Sequence, residues 1–223
     1  VTVTFAEVTV PGGCAGSYSI TRTWTATDTC GNRAQETQII SVGDAVAPVL
    51  AGVPADLTVS CDNIPTAAQP TATDNCDTNI AVQYSETTQP GACANSYTIV
   101  RTWTATDGCG NATSDSQLIT VNDTEAPVLV GVPADITSNC NGVPTVPPTG
   151  NITATDNCDT DVTVTFAEVT VPGGCAGSYS ITRTWTATDN CGNSAQETQI
   201  ISVGDRSEER RVGEECRIQC RSR

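Results

Sequence analysis

Along most of this chain apolar side chains recur at every second position, with threonine or another small polar residue between them. In residues 45–123, Val53, Leu57 and Val59 share one face; so do Ile80, Val82 and Tyr84, and so do Tyr97, Ile99, Trp103 and Ala105. A period of two belongs to a strand with one buried face, and no stretch carries the 3.6-residue period of an amphipathic helix. Pro, Gly, Asn and Asp break the runs into short strands, because these residues favour turns over continued extension. The pattern predicts an all-β protein.

The strand pattern itself repeats. Residues 1–44 match residues 162–205 at every position except Thr29 against Asn190 and Arg33 against Ser194. APVLAGVPADLTVSC at 47–61 aligns with APVLVGVPADITSNC at 126–140, and Trp24, Trp103 and Trp185 mark a period of one small domain. Residues 45–123 and 124–205 are each expected to form a complete antiparallel sandwich of immunoglobulin-like type, and residues 1–44 the second half of a truncated one. Together they predict tandem sandwiches in a linear array. Val1 falls within the pattern, so the chain reads as an internal fragment of a longer secreted protein. Residues 206–223, RSEERRVGEECRIQCRSR, lack the alternation. Their start resembles a translated short-read sequencing adapter, and they are read as an artefact. A metal pair at Cys216 and Cys220 is the weaker reading, since two thiols without further ligands make a poor zinc site.

Charge narrows the partners. Ten arginines, no lysine, no histidine and 25 acidic residues give a formal net charge of -15 and a pI near 4.1. A nucleic acid needs a basic stripe to displace its counterions, so it is excluded as a partner, and cations are the natural guests. Without histidine or lysine, the usual neutral-pH base and the Schiff-base amine are missing, which argues against an enzyme. No apolar run approaches the ~20 residues of a membrane-spanning helix, so membrane insertion is not expected.

Twelve cysteines at regular spacing suggest disulfides, and so an extracellular or cell-surface location. In residues 45–123 they are Cys61, Cys76, Cys93 and Cys109, with one strand-like run between each and the next. The run between Cys93 and Cys109 would extend ~40 Å at ~3.3 Å per residue, whereas bridged Cα atoms lie within ~7 Å, so sequence neighbours are not expected to pair. Within one repeat this leaves Cys61 with Cys93 and Cys76 with Cys109. By analogy Cys140 joins Cys175 and Cys158 joins Cys191, while Cys14 and Cys30 are left without partners.

Arg101 shares its strand face with Ile99 and Trp103, which demands a counter-charge. Glu86 lies in phase on the preceding strand, and the other copies offer Glu7 with Arg22 and Glu168 with Arg183. A structural cross-strand ion pair is preferred here over a substrate-binding carboxylate and guanidinium. The aspartates fall into two sets beside the cysteines: Asp44, Asp74, Asp77 and Asp107, and then Asp123, Asp156, Asp159 and Asp189. Carboxylates gathered from two successive repeats would suit Ca2+, which takes several oxygen ligands in flexible geometry. Turn-forming hydrogen bonds are the competing explanation for the same aspartates.

The pieces APVL, PAD-[LI]-T, ATDNCD and RTWTATD-x-CGN resemble the hyalin-repeat-like, immunoglobulin-like modules arrayed in secreted Bacteroidetes surface proteins, including gliding-motility-associated adhesins. The resemblance spans residues 1–205. It implies a non-catalytic extracellular stalk or adhesive array, with neighbouring repeats and a surface glycan or protein ligand as partners. A carbohydrate-binding accessory module of a secreted enzyme is the alternative.

Overall fold

The computed structural model describes residues 1–148, 150–174 and 177–204. Cys175 and the tail 206–223 lie outside the described residues. Among the described residues there is no helix, and their fold is all-β. Three long strands open it: β1 (Thr2–Pro11), β2 (Tyr18–Thr27) and β3 (Arg33–Val42). Two six-strand sets follow. The first is β4 (Val49–Ala51), β5 (Leu57–Val59), β6 (Thr71–Thr73), β7 (Ala81–Pro90), β8 (Tyr97–Thr106) and β9 (Ala112–Val121). The second is β10 (Val128–Val130), β11 (Ile136–Ser138), β12 (Thr153–Thr155), β13 (Thr163–Pro172), β14 (Tyr179–Thr188) and β15 (Ser194–Val203).

Each six-strand set makes a two-stranded sheet, β4–β6 or β10–β12, and a four-stranded sheet, in the order β5–β9–β8–β7 or β11–β15–β14–β13. Strands β1–β2–β3 form a sheet of their own. The long strands pair antiparallel, but β11 joins β15 in parallel, Ile136 opposite Ile201. A parallel neighbour needs a crossover in place of a hairpin, and here the crossover is most of the repeat.

Burial follows the period of two. Along β8 the buried residues are Ile99, Arg101, Trp103 and Ala105, with Val100, Thr102 and Thr104 between them. In the last repeat Leu129 and Ile152 pack on Trp185 and Ala187, and Ile181, Ile201 and Val203 form a second cluster. No residue of 1–44 is buried. Tyr84, expected on the core face with Ile80 and Val82, is 46% exposed, because β7 is the outer strand of its sheet and only Val82 along it is even partly covered.

By contact density the chain forms two compact units. One comprises Val1–Leu57, Pro65–Gln89 and Thr98–Ile119; the other comprises Thr58–Ile64, Pro90–Tyr97 and the chain from Thr120 onward. Every boundary between these segments falls within the middle repeat, so its Cys61 and Cys93 group with the following repeat.

Candidate functional site

Two turn sequences build the acidic loops. In D-x-CGN, the Asp107 carboxylate accepts the backbone N–H of Cys109 and of Asn111, each at 2.8 Å, and the Asn111 amide at 2.7 Å. Asp28 and Asp189 cap their own turns in the same way. The glycine, at φ +92° in Gly110, takes the left-handed conformation that closes the turn. In ATDNCD, Asp74 accepts the N–H of Cys76 and Asp77, as Asp156 does those of Cys158 and Asp159. Asp77 and Asp159 then tie the two loops together, accepting the N–H of Gly108 at 3.0 Å and of Asn190 at 2.8 Å. These two aspartates are fully occupied as braces.

The remaining carboxylates converge. Oxygens of Asp44, Asp74 and Asp107 lie within 4.8 Å of one another in the first unit. In the second unit Asp123 and Asp156 meet at the same spacing beside Cys158. Cys158 is bridged to Cys61 and therefore offers no thiolate to a metal. Asp123 is 6% exposed. Neither of its carboxylate oxygens has a hydrogen-bond partner, and one oxygen each of Asp44, Asp74 and Asp156 is likewise buried and unpartnered. Burial, then the nearby charges of Asp156 and Asp189, push the Asp123 carboxyl above its usual range against the opposing pull of the neighbouring Glu125 N–H dipole. Asp74 is held low by the N–H groups of Cys76 and Asp77. At Asp107 burial opposes ionisation, but the bonds from Asn111 and Cys109 prevail and the carboxyl is lowered. A buried carboxylate without donors is costly unless a proton or a cation occupies it.

The cysteines pair differently from the expectation. Cys14 joins Cys109, Cys61 joins Cys158 and Cys93 joins Cys191, with sequence separations of 95, 97 and 98. The expected pairs Cys61–Cys93, Cys76–Cys109 and Cys158–Cys191 are therefore absent, and Cys14 has a partner after all. Cys30 and Cys76 are free and exposed. Cys140 is disulfide-bonded, while its expected partner Cys175 lies outside the described residues. Strand length does keep sequence neighbours apart among the bridges formed. The expectation failed because it sought every partner inside one repeat, whereas each bridge spans about one period.

Arg101 and Glu86 meet at 2.8 Å, as do Arg183 with Glu168 and Arg22 with Glu7. In the complete repeats the arginine also reaches a backbone carbonyl of the first half, Pro65 from Arg101 at 2.9 Å and Pro144 from Arg183 at 2.8 Å. Those acceptors escaped the sequence reading, since a carbonyl has no side-chain signature. Also missed was the clasp in which PAD meets the last strand. Gln117 donates to the Ala55 carbonyl and Asp56 accepts the Leu118 N–H; Gln199 with Ala134 and Asp135 with Ile200 repeat it. The recurrence of PAD and of a Gln in the last strand of both complete repeats, 62 and 65 residues apart, is the signal that could have found it. Tyr84 donates to Glu86 and, with Trp103, lines an open cleft of about 480 Å³ that also touches Pro70 and Ile80.

Tandem, disulfide-bonded, all-β sandwich repeats define the class. Within it, residues 49–121 and 128–203 match the model of the HYR-like domain with 4 cysteines, and the chain belongs to that family. No curated protein matches. Among solved structures, protocadherin gammaB7 EC3-6 in its cis-dimer structure is 16% identical over 92% of this chain and 67% of its own, with a TM-score of 0.33. Drosophila N-cadherin EC1-4 is 12% identical over 92% of this chain and 66% of its own, also with a TM-score of 0.33. The chain thus spans about two thirds of these proteins' length. Mouse cadherin-23 EC22-24 is 13% identical over 91% of this chain and 86% of its own, with a TM-score of 0.32.

Proposed function

We propose that this chain is a non-catalytic extracellular repeat segment, the stalk or adhesive array of a cell-surface or secreted protein, of the kind that Bacteroidetes adhesins carry. The observation that supports it is the bridging: Cys61–Cys158 and Cys93–Cys191 link cysteines one repeat apart, which suits a chain that must keep its repeats together under load. Calcium is the second fastener. Asp123 comes from the end of one repeat and Asp156 from the next, and their unpartnered buried oxygens suit a hard cation. Asp159 and Asp189 stand close enough to add negative charge; Asp44, Asp74 and Asp107 form the counterpart.

Calorimetric melting of the full chain in calcium and in chelator tests this. Calcium should raise the melting temperature, and Asp123→Asn should abolish that rise while leaving Cys14–Cys109, Cys61–Cys158 and Cys93–Cys191 in place. A chain whose melting and scattering-derived length ignore calcium would defeat the metal reading. The cleft beside Tyr84 and Trp103 favours a second reading, a glycan-binding surface, because an exposed phenol ring over an apolar floor suits a sugar face. Binding on a glycan array that Tyr84→Ala removes would select it.

A further inference from the structure

The four-stranded sheet of the last repeat has two unlike edges. One is β11, only three residues long and preceded by Pro133 and Asp135. The other is β13, ten residues long, which no further strand among the described residues joins on its outer side. An open edge is a template for another strand, and proteins blunt it by shortness, by a lysine or an internal proline, by a bulge or by a cover. The β11 edge is blunted in this way, and β13 is not. Its one proline, Pro172, is the last residue, and its ten pairs with β14 run without a bulge. Every position along it except Val164 is exposed, with Val169 58% and Val171 51% in water. In the middle repeat β7 holds the same place but carries Gln83, Ser85 and Thr87, where β13 has Thr165, Ala167 and Val169.

Charge and sequence say what fits this edge. The only ionisable residue of β13 is Glu168, which Arg183 holds at 2.8 Å. On the solvent side of the sheet Ala167 stands beside Thr184 and Thr198, and Val169 beside Thr182 and Ile200, so the strip running in from the edge is uncharged. A basic partner would want carboxylates at the contact, and β13 offers none that is unpaired. In a chain of net charge -15, two copies repel each other, and a neutral edge is where they meet least repulsion. β13 is also complementary to itself. Turned about a two-fold axis through Ala167, it meets its own sequence in antiparallel order. Val169 then faces Thr165, Val171 faces Thr163, and Glu168 faces Phe166, so neither carboxylate opposes the other.

We propose that two copies of this chain join edge to edge through β13, antiparallel about Ala167, so that two four-stranded sheets become one continuous sheet. Main-chain hydrogen bonds between the edges supply the affinity, and the Val–Thr pairs across the axis fix the register. The contact uses the same surface on both copies, as a closed dimer requires. The inference goes beyond the repeat-segment reading of the function and needs neither calcium nor a glycan.

Sedimentation equilibrium of the full chain tests it, with exposed thiols capped by iodoacetamide so that no intermolecular disulfide contributes. A reversible monomer–dimer equilibrium is expected, and added salt should strengthen it by screening the net repulsion. Ala167 is exposed, so Ala167→Glu and Ala167→Arg should each melt like the parent chain. Each sets like charges face to face on the axis and should weaken the dimer about tenfold or more. Mixed in equal amounts, the two variants should dimerise again, now with each other. A peptide of residues 163–172 should compete with the dimer where a scrambled peptide does not. A chain that stays monomeric at every salt concentration, a dimer that Ala167→Glu leaves intact, or no recovery on mixing would each overturn the proposal. Equal competition by the scrambled peptide would overturn it too, since the edge would then accept any extended strand.

Discussion

Trp24 and Trp185 sit in one and the same strand sequence, YSITRTWTAT, in β2 and β14, yet the first ring is 38% exposed and the second 3%. The hairpin forms in both places with the same register, Glu7 opposite Arg22 and Glu168 opposite Arg183. Strand alternation and turn chemistry therefore suffice to make the sheet. They do not make a core, which comes from residues some 30 to 60 positions earlier in the chain: Leu129, Ile152 and the PAD clasp. Local sequence fixes which face could be buried, and the first half of the repeat decides whether it is.

The sharpest way to break this comparison is to remove the two rings. Trp185→Ala should cost ~4 kcal/mol, because it empties a closed site, whereas Trp24→Ala should cost only ~1 kcal/mol. Amide hydrogen exchange in β14 and β2 reads the two separately, and equal costs would mean that the first hairpin is covered in solution. Next come the cysteines. Cys158→Ser opens a bridge that closes a loop of about 100 residues and should cost ~3 kcal/mol in denaturant melts, while Cys76→Ser should change nothing. Then the arginines: Arg183→Met removes the buried end of an ion pair and frees the Pro144 carbonyl, for ~2 kcal/mol, discounted because the Glu168 left behind remains partly in water. Arg22→Met, on the open copy, should stay within ~0.5 kcal/mol.

The smallest effect concerns protons and has opposite signs in the two regions. Asp28, in the open copy, is lowered from 3.8 by its bonds from Asn32. Its contribution is present above 3.8 and is lost as pH falls through the lower folded value. Asp123 is raised from 3.8, so the folded protein binds a proton more readily than the unfolded chain, and this residue costs stability as pH rises above 3.8 through its folded value. In chelator, Asp123→Asn should thus raise the melting temperature at neutral pH, with the gain shrinking as pH falls to 3.8. A gain that persists below 3.8 would exclude titration as its cause.

Much of this architecture was legible. Ile99, Trp103 and Ala105 fall on one face because an alternating strand exposes its pattern directly, and one arginine among them calls for the in-phase Glu86. What stayed hidden depends on partners distant in the chain. Cys93 has no feature that prefers Cys191 to Cys61, since each is one strand and one turn away from a neighbour. Which pole meets which is decided by packing rather than by spacing. Tyr84 shares its period with Val82, yet an outer strand leaves it in water. At the acidic loops the turn-forming explanation accounts for Asp77 and Asp159, which brace the loops, while Asp123 keeps two oxygens without a hydrogen-bond partner.

The offset bridges bear on how such a chain could grow. A repeat that closed its own cysteines could be inserted anywhere without regard to its neighbours. Here a repeat such as 45–123 takes Cys14 through Cys109 and gives Cys61 and Cys93 to the next. With Cys76, free here, counted as its second taker, a duplicated repeat would bring two takers and two givers, so whole units could be gained or lost inside the series without changing the balance. A cut at any other place leaves unpaired cysteines. The bonding pattern thus sets a frame in which whole-repeat changes keep the cysteine balance, as the near identity of residues 1–44 and 162–205 would suit.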